Sequence, residues 1–416
     1  MKTSPRPRFP LRRLAFTGLW ILLFLAAAAC KLQDNAALKS PAGGALEFLG
    51  YIPDQPENRK FVAFGDAAAW YTSWNVPRIY SVEEVNNLDD TSRAYWMGAM
   101  LVQTYPPDCL DWQSIFSYSI RDAYGFDLFD IDRFIYAGQP PKVVSILEFD
   151  TSSQRIANAL TKKGYAAEEL APGWVLNSLN KDYKLNMQAE MRVEKLGNLN
   201  RILLSDHLMI IGKASEVVAP ALEAHNDQDP SLADDKTYIA SVQALQDPSL
   251  KEAGELVGVI WMDGAEFTSQ TPNFGNMTES QRQDLIEKYG LYNDLPEFSL
   301  AAFATRHSLK EGVTYLILAL VFPKGADAEA ASQVLQERLE KANSWRFRTP
   351  WLQVLNAADE KVYAVQAGGL PVTLAVFRLD DPELKVINEG SRPMARVRAW
   401  MDFVATRDLM FLYRQP

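Results

Sequence analysis

Two runs constrain this chain more than any other feature: VVSILEF at residues 143–149 and YLILALVF at 315–322. Apolar side chains follow one another with little of the alternation that a strand with one wet face requires. Strands of this kind are buried on both faces. Each run is followed by residues at helical spacing. Ile156 and Leu160 lie four apart, as do Ala331, Leu335 and Leu339, forming a stripe that can cover a sheet. Thr151 and Asp327 stand where helix N-caps belong, and Gly164 where the first helix would end. The expectation is an α+β fold of sheets with packed helices.

The two runs belong to a wider internal repeat. KFVAFGDAAAW (60–70) pairs with LVGVIWMDGAEF (256–267), each placing an Asp after an apolar strand. KVVSILEFDTSSQRIANALTKKGY pairs with TYLILALVFPKGADAEAASQVLQERLEKA, and RILLSDHLMIIGK (201–213) with MDFVATRDLMFLYRQ (401–415). RILLSDHLMIIG reads as a hairpin turning at Ser205 and Asp206. The pairs keep their order, which points to a tandem duplication into two similar α+β lobes, each with its own sheet. The lobes would span 46–249 and 250–416, meeting near DPSLKEAGE (247–255).

The N-terminus is a separate unit. Residues 1–13 carry Lys2, Arg6, Arg8, Arg12 and Arg13 and no acid, and residues 14–29 are apolar. Sixteen residues make a helix of roughly 24 Å, short of the hydrocarbon core at about 30 Å. A basic head, a short apolar run and small residues at its end describe a secretory signal peptide. Ala26 to Ala29 are followed at once by Cys30. LWILLFLAAAAC resembles the lipobox of bacterial lipoproteins, which implies cleavage before Cys30 and acylation of Cys30. The Arg12–Arg13 pair hints at a twin-arginine signal, but Ala15 and Phe16 fit that pattern poorly. Lys31, rather than Asp, resembles outer-membrane sorting in a two-membrane envelope. Residues 31–45, KLQDNAALKSPAGGA, read as a tether behind the lipidated Cys30. Acyl chains on Cys30 would hold the protein to the membrane, outside the cytoplasm.

Losing residues 1–29 leaves 37 basic residues against 52 acidic, a formal charge of −15. So acidic a surface argues against nucleic acid and against a polybasic membrane patch. With Cys30 modified, Cys109 is the only other cysteine, and it reads as a small buried hydrophobe.

DLFDIDRFIYAGQPP, then SILEFD, a helix ending KKGY, SDHLMIIGKASEVVAPAL and PSLADD together resemble a family of secreted bacterial proteins and lipoproteins of unknown function. The resemblance covers roughly residues 120–245 well and the second half faintly. It implies a compartment and a fold, and carries no catalytic residue.

Little in the chain signals chemistry. His207, His225 and His307 show no ligand spacing, so neither metal nor cofactor is expected. Ser178-Leu179-Asn180-Lys181 matches S-x-x-K but lacks its SDN and KTG partners. Asp127, Asp130 and Asp132, and Asp227, Asp229, Asp234 and Asp235, do not follow the order of a calcium loop and read as turns and caps. Trp70, Tyr71, Trp74, Tyr95 and Trp96 read as core. SWRFRTPW differs. As a strand it would put Arg346 and Arg348 on one face beside Trp345 and Trp351, a candidate site for an anionic ligand. The leading expectation is a non-enzymatic envelope lipoprotein that binds a ligand or partner, with an inter-lobe cleft as the natural seat. The rivals are an envelope hydrolase using an unidentified carboxylate pair and a structural assembly subunit.

Overall fold

The computed structural model describes residues 43–90, 100–111, 120–269, 278–344, 346–380 and 403–413, with Arg93, Trp96 and Trp400 besides. Residues 1–42, where a signal peptide, Cys30 and most of a tether are expected, therefore lie outside the described residues, as do Tyr95 and Trp345.

The class is α+β, and twelve strands form one antiparallel sheet. They are β1 (Val62–Asp66), β2 (Ile131–Gln139), β3 (Lys142–Phe149), β4 (Ala166–Ala171), β5 (Trp174–Ser178) and β6 (Arg201–Leu204). Then come β7 (Leu208–Gly212), β8 (Glu255–Asp263), β9 (Leu300–Ser308), β10 (Val313–Val321), β11 (Asp359–Ala367) and β12 (Leu370–Asp380). Their order across the sheet is β11-β12-β10-β9-β8-β1-β2-β3-β7-β6-β5-β4.

The expected pair of sheets is thus a single sheet. The halves meet where β8 pairs with β1, Val62 opposite Trp261. Outward from that seam the first half runs β1, β2, β3, β7, β6 and the second β8, β9, β10, β12, β11. The connectivity repeats, with the β4–β5 hairpin added on one side. Two of the matched sequence pairs fall on strands equally far from the seam, β1 with β8 and β3 with β10. The third does not. Residues 403–412, matched in sequence to the hairpin segment 201–213, form a helical turn and a 3-10 turn, and the counterpart of the β6–β7 hairpin is β11–β12. Arg407, held at φ 58°, breaks the run between Phe403 and Phe411.

The uninterrupted apolar runs have the expected cause: helices cover both faces. On one face lie α1 (Gly43–Leu49), α6 (Ser215–His225) and α7 (Lys236–Ala244), over a core that runs across the sheet from Ile210 through Phe64 to Leu374. The other face carries two separate cores. One gathers α2 (Ala67–Trp74), α3 (Leu101–Thr104) and α4 (Ser153–Lys162) around Phe134 and Leu147. The other gathers α8 (Glu279–Tyr289), α9 (Ala328–Lys341) and α10 (Trp351–Leu355) around Phe303 and Leu318.

Capping follows the residue chemistry. Asp327 accepts from the Ala330 N–H at 3.0 Å at the start of α9. Ser152 takes the N-cap position of α4 in place of Thr151, and Gly164 follows that helix at φ 92°. The acidic clusters also act as caps. Asp127 and Asp130 form a capping box, and Asp235 accepts from the Thr237 N–H at 2.7 Å ahead of α7.

Candidate functional site

The seam between the halves is built on two glycines. Gly65 of β1 pairs with Gly258 of β8, and both face the side with two cores. Their missing side chains let α3 lie directly on the sheet. A Cβ at Gly258 would sit 2.2 Å from the Gln103 carbonyl, and one at Gly65 2.4 Å from that of Thr104. Gln103 is fixed from above, its Oε1 accepting from the indoles of Trp70 (2.8 Å) and Trp74 (3.0 Å). The segment after α3 is therefore set by the seam. It turns left-handed at Tyr105 (φ 54°) and runs to the 3-10 turn at Asp108–Leu110.

That segment forms one wall of a cavity of about 740 Å³, lying where the two cores part. The size is that of a small-molecule site. Its floor is two rungs of the sheet. Tyr136, Ser145 and Ile211 are paired in register across β2, β3 and β7. Gly138 and Val143 form the next rung, with Lys213 just past the end of β7. Period-two alternation puts all of these on one face. Phe61, Tyr105 and Tyr136 make an aromatic corner with ring centroids 5.8–6.4 Å apart. Leu196, after α5 (Arg192–Lys195), and Val404 and Ala405 of the C-terminal helical turn line the remaining sides.

Polar groups share the lining: Asp108, Cys109, Gln139, Ser145 and Asn198, besides three cations. The Ser145 hydroxyl hydrogen-bonds the Cys109 thiol, and burial pushes that thiol up to about 12. Cys109 is therefore a buried thiol rather than a thiolate nucleophile. Three cations reach the cavity: Arg192, Lys213 and Arg407. Arg192 lies 3.7 Å from Asp108, and Arg407 2.8 Å from Glu266. Lys213 has neither an ion pair nor a side-chain hydrogen bond among the described residues, and burial lowers its pKa. Asp108 is the only carboxylate among the described lining residues, so no pair of carboxylates converges there.

The site expected in SWRFRTPW is not assembled. The segment is a turn linking α9 to α10, not a strand. Ser344 holds it, accepting from the Phe347 N–H at 3.0 Å through Oγ and from the Arg348 N–H at 2.8 Å through its carbonyl. Arg348 takes φ 55°, and the Arg346 guanidinium packs 5.5 Å over the Phe347 ring. Trp351 is fully buried against Phe403 and Phe411. In the S-x-x-K stretch, Ser178 ends β5 and Lys181 is exposed. His207 is exposed in its hairpin turn, His225 stacks on Tyr51 at 4.4 Å, and His307 stacks on Trp74 at 3.8 Å. Among the described residues no cluster of His, Cys, Asp or Glu could hold a metal ion, and no helix is long and apolar enough to cross a membrane.

No family model and no curated protein matches the sequence. Among solved structures, crystal form III of TP0453 aligns over 82% of this chain and 97% of its own, at 8% identity and a TM-score of 0.34. Crystal forms I and IV of TP0453 give TM-scores of 0.32 and 0.33 over the same share of this chain. A likeness at this level assigns neither a ligand nor an activity.

Sequence reasoning missed nearly every residue of the cavity. Cys109 was noticed, but as core. The available signal was Lys213, a cation directly after an apolar strand in an acidic chain. The partners that give it meaning are Tyr105, Tyr136 and Val404, and only the fold brings these together.

Proposed function

We propose that this chain is an extracytoplasmic lipoprotein, anchored through acylated Cys30, that binds a small, largely apolar ligand without transforming it. The observation that carries the reading is the cavity of about 740 Å³ between the two cores. Aromatic and aliphatic side chains make much of its wall, with three cations and one carboxylate among the described lining residues. A hydrolase reading needs a second carboxylate there, so binding is favoured. The lipobox-like junction at Ala29–Cys30 supports the anchor, and Lys31 supports an outer-membrane address where the host has two membranes. The mirrored strand order and the two sequence pairs that match it support descent by tandem duplication. In that history the cavity arose at the junction of the two copies.

Two experiments test the proposal. Labelled palmitate should enter the parent chain and not Cys30→Ser; label on both, or on neither, would remove the anchor. For the ligand, the Cys30→Ser chain recovered from the host envelope should carry an extra mass in native mass spectrometry. Ala405→Trp, which fills the cavity from its helical side, should lose that mass. A mass unaffected by Ala405→Trp would place the ligand elsewhere.

A further inference from the structure

Resting on the cavity as a ligand seat, we infer that the ligand is an anionic amphiphile. Its carboxylate or phosphate head would sit on Lys213 and its chain on the Tyr136–Ile211 floor.

The charge pattern of the cavity runs against that of the molecule. The whole chain has a formal charge of −10, yet three cations and one acid line this site. Arg192 and Arg407 already have acidic partners, Asp108 and Glu266. The Lys213 ammonium makes no ion pair among the described residues; the only acid that acts on it is Asp108, which Arg192 also engages, and it is half-buried, an arrangement that favours an added anion. Its backbone is fixed, because the Lys213 carbonyl accepts from the Tyr183 N–H at 3.0 Å and Ala214 begins the cap of α6. A charge-assisted bond to an oxyanion would satisfy the ammonium.

Placement gives the ligand its polarity. Lys213 lies two residues beyond Ile211 on the same face, at the end of the floor where β2 turns into β3. The apolar share of the lining is made by Phe61, Tyr105, Tyr136, Ile211 and Val404. A molecule charged along its length would leave charge against the aromatic corner. A wholly apolar one would leave the half-buried Lys213 without an anion against it. One anionic end on an apolar body satisfies both parts.

The test uses the mature chain with Cys30→Ser, so that no attached acyl chain competes, and isothermal titration below micelle concentrations. The probes are palmitate, hexadecyl phosphate, hexadecanol and inorganic phosphate. We expect palmitate or hexadecyl phosphate, or both, to bind about tenfold or more tightly than hexadecanol. The tighter of the two names the head group. Lys213→Met should erase that preference while leaving hexadecanol affinity unchanged, and Lys213→Arg should keep it. Equal binding of the acid, the phosphate ester and the alcohol would overturn the head-group assignment and leave the apolar cavity intact. Inorganic phosphate binding as tightly as its hexadecyl ester would overturn the amphiphile. Absence of binding by all four probes would overturn the cavity reading as well.

Discussion

His307 and Asp66 are buried titratable groups of opposite kind, and each predicts its own pH response. Burial lowers the His307 pKa to about 4, with its Nδ1 3.0 Å from the Thr314 hydroxyl. A base depressed in the fold contributes stability above its unfolded value, near 6.5, and loses it as pH falls toward 4, on the order of 3 kcal/mol in full. Burial raises the Asp66 pKa to about 6, while the carboxylate caps α2 through the Ala69 N–H at 2.7 Å. An acid raised in the fold contributes stability at low pH and loses it as pH rises from about 4 through 6. The two slopes oppose each other, so the parent chain hides both. Denaturant titrations at several pH values should separate them. His307→Gln should flatten the loss of stability between pH 6.5 and 4. Asp66→Asn, which keeps the cap, should gain stability at pH 7.5 relative to pH 4. Arg338 makes a further prediction. Fully buried, it donates to the carbonyls of Asn293, Phe411 (3.1 Å) and Tyr413 (2.6 Å), tying α9 to the C-terminal turn. Arg338→Met strands those carbonyls and should cost about 3 kcal/mol in chemical denaturation. Arg338→Lys should recover little of it, because one ammonium cannot reach all three.

At the scale of elements, legibility depended on whether a segment's neighbours were coded nearby. The runs at β3 and β10 read correctly as strands because burial on both faces leaves an apolar signature in the strand itself. The β6–β7 hairpin read correctly because its turn residues are local. SWRFRTPW did not, since its alternation of Arg and aromatic side chains was outweighed by the Ser344 bonds and by Arg348 at φ 55°. The third repeat match failed similarly: an apolar pattern was present, but Arg407 turned the backbone. Nothing near Gly65 or Gly258 in sequence says that each receives a carbonyl of α3. The cavity depends on that contact and was illegible for the same reason. Gly258→Ala should therefore do two things at once. It should lower stability by about 2 kcal/mol or more, since its Cβ meets backbone at 2.2 Å. It should also weaken ligand binding, because lifting α3 displaces Tyr105 and Cys109. An alanine at Gly312, whose Cβ meets nothing within 4 Å but whose φ is 65°, is the control: some stability lost, binding unchanged.

For the molecule as a whole, the strand order carries the main consequence. Two lobes with separate sheets could each fold alone. Halves sharing a seam each expose an unpaired inner edge, β1 or β8, when parted, which favours edge-to-edge association over independent folding. Residues 46–249 expressed alone should aggregate or remain partly unfolded by circular dichroism. The intact chain should melt in one cooperative transition. The same seam sets a timetable. Val62 finds Trp261 about 200 residues further along the chain. At about 5–20 residues per second of synthesis, the inner edge of β1 waits roughly 10–40 s for its partner to exist. A first half that folded within that interval would present an open strand edge in what becomes the centre of the finished sheet. A chain held unfolded until all of residues 62–261 are at hand never exposes that edge.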